Sequence, residues 1–171
     1  RKEKKAAPNN RSISGGGVNS CWFLCLCCVD NYPEPMISHT TKGLIAEHLV
    51  ASTILGFDGW QCSLAQQDKV DLIAWKEKRY VRVQVKSASL RPYRNRYHFN
   101  LGSGSKKKTL PTVEDYDVLC FVALDARGCY FLPTEHVRNK TKWFSPTFFD
   151  DRNIEIESWN ETMKVIDERL R

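Results

Sequence analysis

Residues 70–87, VDLIAWKEKRYVRVQVKS, constrain this chain more than any other stretch. Two runs rich in β-branched and aromatic residues, VDLIAW and RYVRVQVKS, flank a short charged KEK, which is the pattern of a β-hairpin. In the second run Val81, Val83 and Val85 alternate with Arg82, Gln84 and Lys86, so the two sets face opposite sides of a sheet. A turn centred between Glu77 and Lys78 pairs Lys76 with Arg79, Trp75 with Tyr80 and, farther along, Asp71 with Gln84. Cross-strand partners lie roughly 4.5–5.5 Å apart at Cβ. A hard cation takes oxygen ligands at roughly 2.0–2.6 Å. One ion can therefore be shared by Asp71 and Gln84, with Lys86 standing one pleat further along. A metal site with a cation next to it suits phosphodiester chemistry.

At 171 residues the chain is long enough for one domain with a sizeable core and hardly for two. Its net charge of +6 leans toward an acidic polymer as partner, although solubility alone accounts for such a sum equally well. The distribution is more telling, because basic residues cluster at Arg1, Lys2, Lys4 and Lys5 and again beyond the hairpin. That second cluster holds Arg91, Arg94 and Arg96, then Lys106, Lys107 and Lys108. Seven cysteines cannot all pair, and Cys62, Cys120 and Cys129 read as buried reduced thiols, which points to a reducing, intracellular, cytoplasmic setting. No apolar run approaches the roughly 18–20 residues of a membrane span, so no membrane partner is expected.

Residues 1–36 read as a disordered or poorly defined extension, and 37–171 as a single domain. Within the extension CWFLCLCC resembles a short signal-peptide core, but it is brief and lacks a clean small-residue cleavage site. Cys21, Cys25, Cys27 and Cys28 lack a paired C-x-x-C spacing and a second ligand cluster, which argues against zinc. From there the pattern turns orderly. Thr40 or Thr41 can cap a helix that is apolar at Leu44, Ile45, Val50, Ala51, Ile54 and Leu55 and ends at Gly56. Residues 58–65 read as a short strand, Tyr97–Leu101 as another, and DVLCFVAL (117–124) as a strand buried on both faces. CYFLP (129–133) makes a last strand, and the tail has helical spacing through Trp159, Met163, Ile166 and Leu170. Helix, several strands, then helix suits a mixed sheet covered by helices, an α/β (α+β) architecture.

Glu47 falls within the apolar side of the first helix, and an ionised carboxylate facing a core is costly unless it is paired or binds a metal. The plainer account places it at the stripe's edge, reaching solvent. Asp71 likewise interrupts an apolar strand, while Gln84 and Lys86 sit where alternation puts polar residues as a rule. Singly, each has an ordinary explanation. Together, Glu on a helix, Asp on a strand and Gln-x-Lys on the next strand form a specific order of parts.

In that order the chain resembles the PD-(D/E)XK nuclease superfamily. The resemblance rests on Glu47 in GLIAEHLV, Asp71 in KVDLIAW and Gln84-Val85-Lys86 in VRVQVKSA, and covers roughly Lys42 to Pro133. In texture it is closest to homing-endonuclease-like and resolvase-like members, whose lysine strand is followed by a basic loop and a Tyr-x-Phe strand, here Tyr97-His98-Phe99. Val70 stands in place of the family's proline, and Gln84 in place of the acid of (D/E)XK, as in some members. The resemblance implies a restriction-endonuclease-like mixed central sheet flanked by helices and a metal-dependent DNA endonuclease. Its implied cofactor is Mg²⁺, with Mn²⁺ as the substitute, held by Asp71, Gln84, the Val85 carbonyl and Glu47, and its catalytic set is Glu47, Asp71, Gln84 and Lys86. An amide ligates without bringing charge, so affinity would rest on Asp71 and Glu47.

Arg91, Arg94, Arg96 and Lys106 to Lys108, interleaved with Tyr93 and Tyr97, are the expected DNA-phosphate contacts, against the plainer account of a solvated loop. Ser103 and Ser105 lie between glycines but belong to no phosphate-cradling G-x-x-x-x-G-K-[ST] pattern. The alternative function is a catalytically impaired DNA-binding module that keeps the nuclease fold, for which Gln84 is the best argument. A small RNA-binding domain is weaker, since no aromatic RNP-like strand is visible. Duplex cleavage needs two cuts, so a homodimer or higher homo-oligomer is expected.

Overall fold

Ser38 sets the start of the first helix, α1 (His39–Leu55), because its hydroxyl accepts from the Thr41 amide at 3.1 Å. A capping side chain bonds the third helical amide, which makes Ser38 the cap and moves it ahead of the expected Thr40 or Thr41. The computed structural model describes residues 37–91, 93–102 and 109–171, and every described element belongs to one compact unit, Met36–Arg171. The expected extension over 1–36 with its four cysteines, the Ser103 and Ser105 loop and Lys106, Lys107 and Lys108 all lie outside the described residues.

After α1 the chain makes β1 (Gln61–Gln67), β2 (Val70–Lys76), β3 (Arg79–Ala88), β4 (Tyr97–Asn100), β5 (Val118–Ala123), β6 (Gly128–Pro133) and β7 (Thr141–Phe144), then α2 (Asn153–Arg169). Five strands form a mixed sheet in the order β1-β2-β3-β5-β6, with β3 and β5 parallel and the other pairs antiparallel. The remaining two, β4 and β7, make an antiparallel ribbon. The helices and the ribbon cover opposite faces of the sheet. On one face Val81, Val83, Val118 and Cys120 meet Ala46, Val50 and Ile54 of α1 and Trp159, Met163 and Ile166 of α2. On the other, Leu119 and Phe121 pack with Tyr97 and Phe99 of β4 and Phe144 of β7. β5, inside the sheet between β3 and β6, is accordingly buried at every residue, as its continuous apolar run predicts.

The structure departs from the sequence reading in three elements. α1 buries Ala46, Val50 and Ile54, one i, i+4, i+8 ridge, and leaves Leu44, Ile45 and Leu55 about half exposed. The helix is apolar on nearly all sides, so periodicity does not single out the face that small Ala46 lets approach the sheet. α2 begins at Asn153, six residues before Trp159, because its first turns are polar for a reason. The Glu155 carboxylate accepts from the Cys129 amide at 3.0 Å and the Ser158 hydroxyl from the Phe131 amide at 3.1 Å, which blocks edge strand β6. Leu170, expected on its apolar stripe, is exposed. Short β7 has no apolar alternation of its own and exists by pairing with β4.

Arg82 and Arg169 tie these parts together around Asp117, at 3.1 and 2.8 Å, and Arg169 also reaches Glu135 at 3.3 Å. Cys62, Cys120 and Cys129 are free thiols, the last two fully buried. Among the described residues no helix is long and apolar enough to cross a membrane.

Candidate active site

The hairpin forms in the register its turn predicts, from Lys76 opposite Arg79 through Trp75 and Tyr80 to Leu72 opposite Val83. There the β2–β3 ladder stops. β3 continues alone along β5, with Gln84 opposite Leu119, Val85 opposite Cys120 and Lys86 opposite Phe121. The next step on β2 would carry Asp71, and its side chain takes over where the backbone leaves off. Asp71 Oδ2 accepts from the Val85 amide at 2.6 Å and from Gln84 Nε2. The same Nε2 donates to the Val85 carbonyl at 3.3 Å. Side chains thus satisfy both polar groups of Val85 at the point where the strands part, as a buried backbone requires.

Two oxygens, one carboxylate and one carbonyl, therefore converge on a single amide nitrogen. Such a position takes either a hydrogen-bond donor or a cation. Gln84 is nearly buried, and a half-turn of its terminal amide presents Oε1 in place of Nε2, adding a third oxygen. This all-oxygen set suits Mg²⁺ or Mn²⁺ and not a soft metal. Among the described residues no group of three or more His, Cys, Asp or Glu could hold an ion. An ion at this point would depend on the neutral oxygens of Gln84 and Val85 as well as on carboxylates.

Glu47 enters from α1, at the flank of the buried face beside Ala51 and Ile54, and is half-buried. Burial pushes its carboxyl above the ordinary range, the Asp71 charge pushes it further, and His48 opposes both. Burial likewise raises Asp71, against the opposing pull of the Val85 amide, the Lys86 charge and the Gln84 amide. Both carboxyls are thus pushed above the ordinary range, and the Asp71 charge acts on Glu47. Lys86 is half-buried, close enough for its charge to act on Asp71, and makes no ion pair within 4.0 Å among the described residues. Glu47, Asp71, Gln84, Val85 and Lys86 are brought to one place from one helix and two strands.

Beyond Lys86 the chain forms a basic turn. Arg91 and Arg96 bridge antiparallel, the amides of Arg94 and Asn95 bond the Arg91 carbonyl at 3.0 and 2.9 Å, and Asn95 takes a left-handed φ of 45°. Arg91, Arg94 and Arg96 are all exposed, as is Tyr93. Tyr97, which the sequence places at the start of a strand, opens β4 and is buried, its ring 5.4 Å from that of Phe149. A groove beside Ser87 is lined by His39, Lys42, Ser89, Arg91 and His98, with no acid among them. The sequence reading missed His39 and Lys42. No local pattern signals Lys42, because it and Glu47, five positions apart on α1, lie roughly 140° apart around the helix.

Comparison with known proteins agrees with this architecture. The fold is similar to that of a bacterial homing endonuclease at a TM-score of 0.53 and 20% identity, over 66% of this chain and 78% of that one. The search of curated proteins gives no match. Residues 37–152, from the cap of α1 to the threshold of α2, match the family described as PD-(D/E)XK endonuclease. With well over half of its length inside that match, the chain belongs to the PD-(D/E)XK endonuclease family.

Proposed function

We propose that the protein is a metal-dependent DNA endonuclease using Mg²⁺, with Mn²⁺ able to substitute. The observation that carries this reading is the convergence of Asp71 Oδ2 and the Val85 carbonyl on the Gln84 amide, at the point where β2 and β3 separate. Asp71, Val85, Gln84 through Oε1 and Glu47 would hold the ion. When bound it supplies a Lewis acid for the phosphoryl oxygen and a water of lowered pKa. Lys86 orients the attacking water or offsets the negative charge that builds at phosphorus. Arg91, Arg94 and Arg96 contact flanking phosphates, and Lys106, Lys107 and Lys108 extend that set. A homodimer would supply the two sites that a double-strand cut needs, and light scattering on the purified protein tests it. The deciding assay is Mg²⁺-dependent cleavage of plasmid, linear and branched DNA by the wild type, Asp71→Ala and Lys86→Ala. Activity in the wild type alone is expected, and equal cleavage by all three sinks the assignment.

Neutral Gln84 and the lack of a three-residue acidic cluster among the described residues favour a second reading, a DNA-binding module that has lost catalysis. Calorimetric titration with Mg²⁺ separates the two, because only the endonuclease requires the ion to bind.

A further inference from the structure

The turn between β3 and β4 is held together at its described residues, Arg91 and 93–96. Its neck is the Arg91–Arg96 bridge, its interior is closed by two amides on the Arg91 carbonyl, and Asn95 supplies the left-handed residue. It is also buttressed from the side. The Arg94 guanidinium lies 5.6 Å from the centre of the Trp143 ring on β7, and that ring stacks on His98 of β4 at 4.0 Å and 29°. Three residues of the turn and the ribbon, Arg94, Arg96 and Trp143, surround one open concavity. At the tip of this braced turn Tyr93 is fully exposed. A fully exposed aromatic ring between arginines has an open stacking face.

We infer that Tyr93 is a base-stacking residue and that the substrate class is DNA carrying an unpaired base, as in a bulge or branch, in preference to uninterrupted duplex. Every base has a π-face, so an exposed ring beside a strand's path stacks on whichever base has left its helix. In intact duplex that face is unavailable, and the arginines alone contribute. Tyr93 lies seven residue steps beyond Lys86, a reach of at most about 25 Å, or about seven base-pair steps at 3.4 Å. The unpaired base is therefore read on the same stretch of DNA as the scissile phosphate. This inference rests on the DNA reading above and fixes the kind of DNA.

The test is binding of a 30-base-pair duplex and of the same duplex with a central bulged 2-aminopurine, with Ca²⁺ present to avoid cleavage. The wild type, Tyr93→Ala, Tyr93→Phe and Trp143→Ala are compared, each checked for an unchanged far-ultraviolet circular dichroism spectrum. The wild type should prefer the bulged DNA by about five-fold or more and quench 2-aminopurine fluorescence. Tyr93→Ala should bring the affinity ratio near one and abolish the quench, Tyr93→Phe should keep both, and Trp143→Ala should weaken both by loosening the buttress. If Tyr93→Ala keeps the wild-type ratio and quench while both DNAs still bind, the inference is overturned and the endonuclease reading stands. If neither DNA binds the wild type, both fall together.

Discussion

Asp71 on β2 and Asp117 just ahead of β5 are two half-buried aspartates whose environments pull them in opposite directions. At Asp117 burial raises the carboxyl, but Arg82 and Arg169 outweigh it and hold the group below its usual range. Its folded pKa lies under the unfolded one, so its contribution to stability is present above about pH 4 and is lost as pH falls through the depressed value. Asp117→Asn should therefore cost about 2–3 kcal/mol at pH 7, read by urea unfolding, with the penalty fading below pH 4. Asp71 has the reverse sign. Its folded pKa is raised by burial, so its contribution is greatest below the unfolded value and is lost as pH rises through the folded one. Asp71→Asn keeps an oxygen for the Val85 amide, and in metal-free buffer at pH 7 it should melt a few degrees above the wild type. The two melting curves should converge toward pH 4, and a lower melting temperature for Asp71→Asn at neutral pH would contradict the assignment. Gln84→Glu adds a charge to the oxygen set and should tighten Mg²⁺ binding in calorimetry while lowering the melting temperature of the metal-free protein, because the new carboxylate faces Asp71.

At the scale of elements, the hairpin was the most legible part of the sequence. The turn position fixes its register, and the register by itself brings Asp71 to Gln84. What local pattern cannot express is that the ladder ends one pair earlier and leaves Val85 to be satisfied by side chains. Beyond that pair β3 runs on along β5, on its other edge and thirty-five positions away, with no strand opposite on the β2 side among the described residues. The helices were legible as helices but not as faces. α1 is apolar on nearly every side, and the first turns of α2 are polar because they cap β6. Tyr97, by contrast, was legible as the start of a strand, and it opens β4 with its ring in the core. Ser158→Ala, which leaves the Phe131 amide buried without its acceptor, should cost about 1–3 kcal/mol by the same unfolding measurement.

For the whole molecule, the basic residues act together through salt. Each phosphate neutralised contributes about −0.9 to the slope of log affinity against log salt on duplex DNA. Replacing Arg91, Arg94 and Arg96 together by alanine should therefore make that slope shallower by about two to three units while leaving the melting temperature near that of the wild type. An unchanged slope would show that the turn does not lie on the phosphates. The Val85 amide offers an independent view of the same molecule. It is a backbone proton held by a carboxylate and not by another strand, so its resonance follows the charge on Asp71 directly. Titrated with acid or with a divalent ion, that one amide peak becomes an indicator built into the chain, reporting the electrical state of the site with no substrate present and no bond cut.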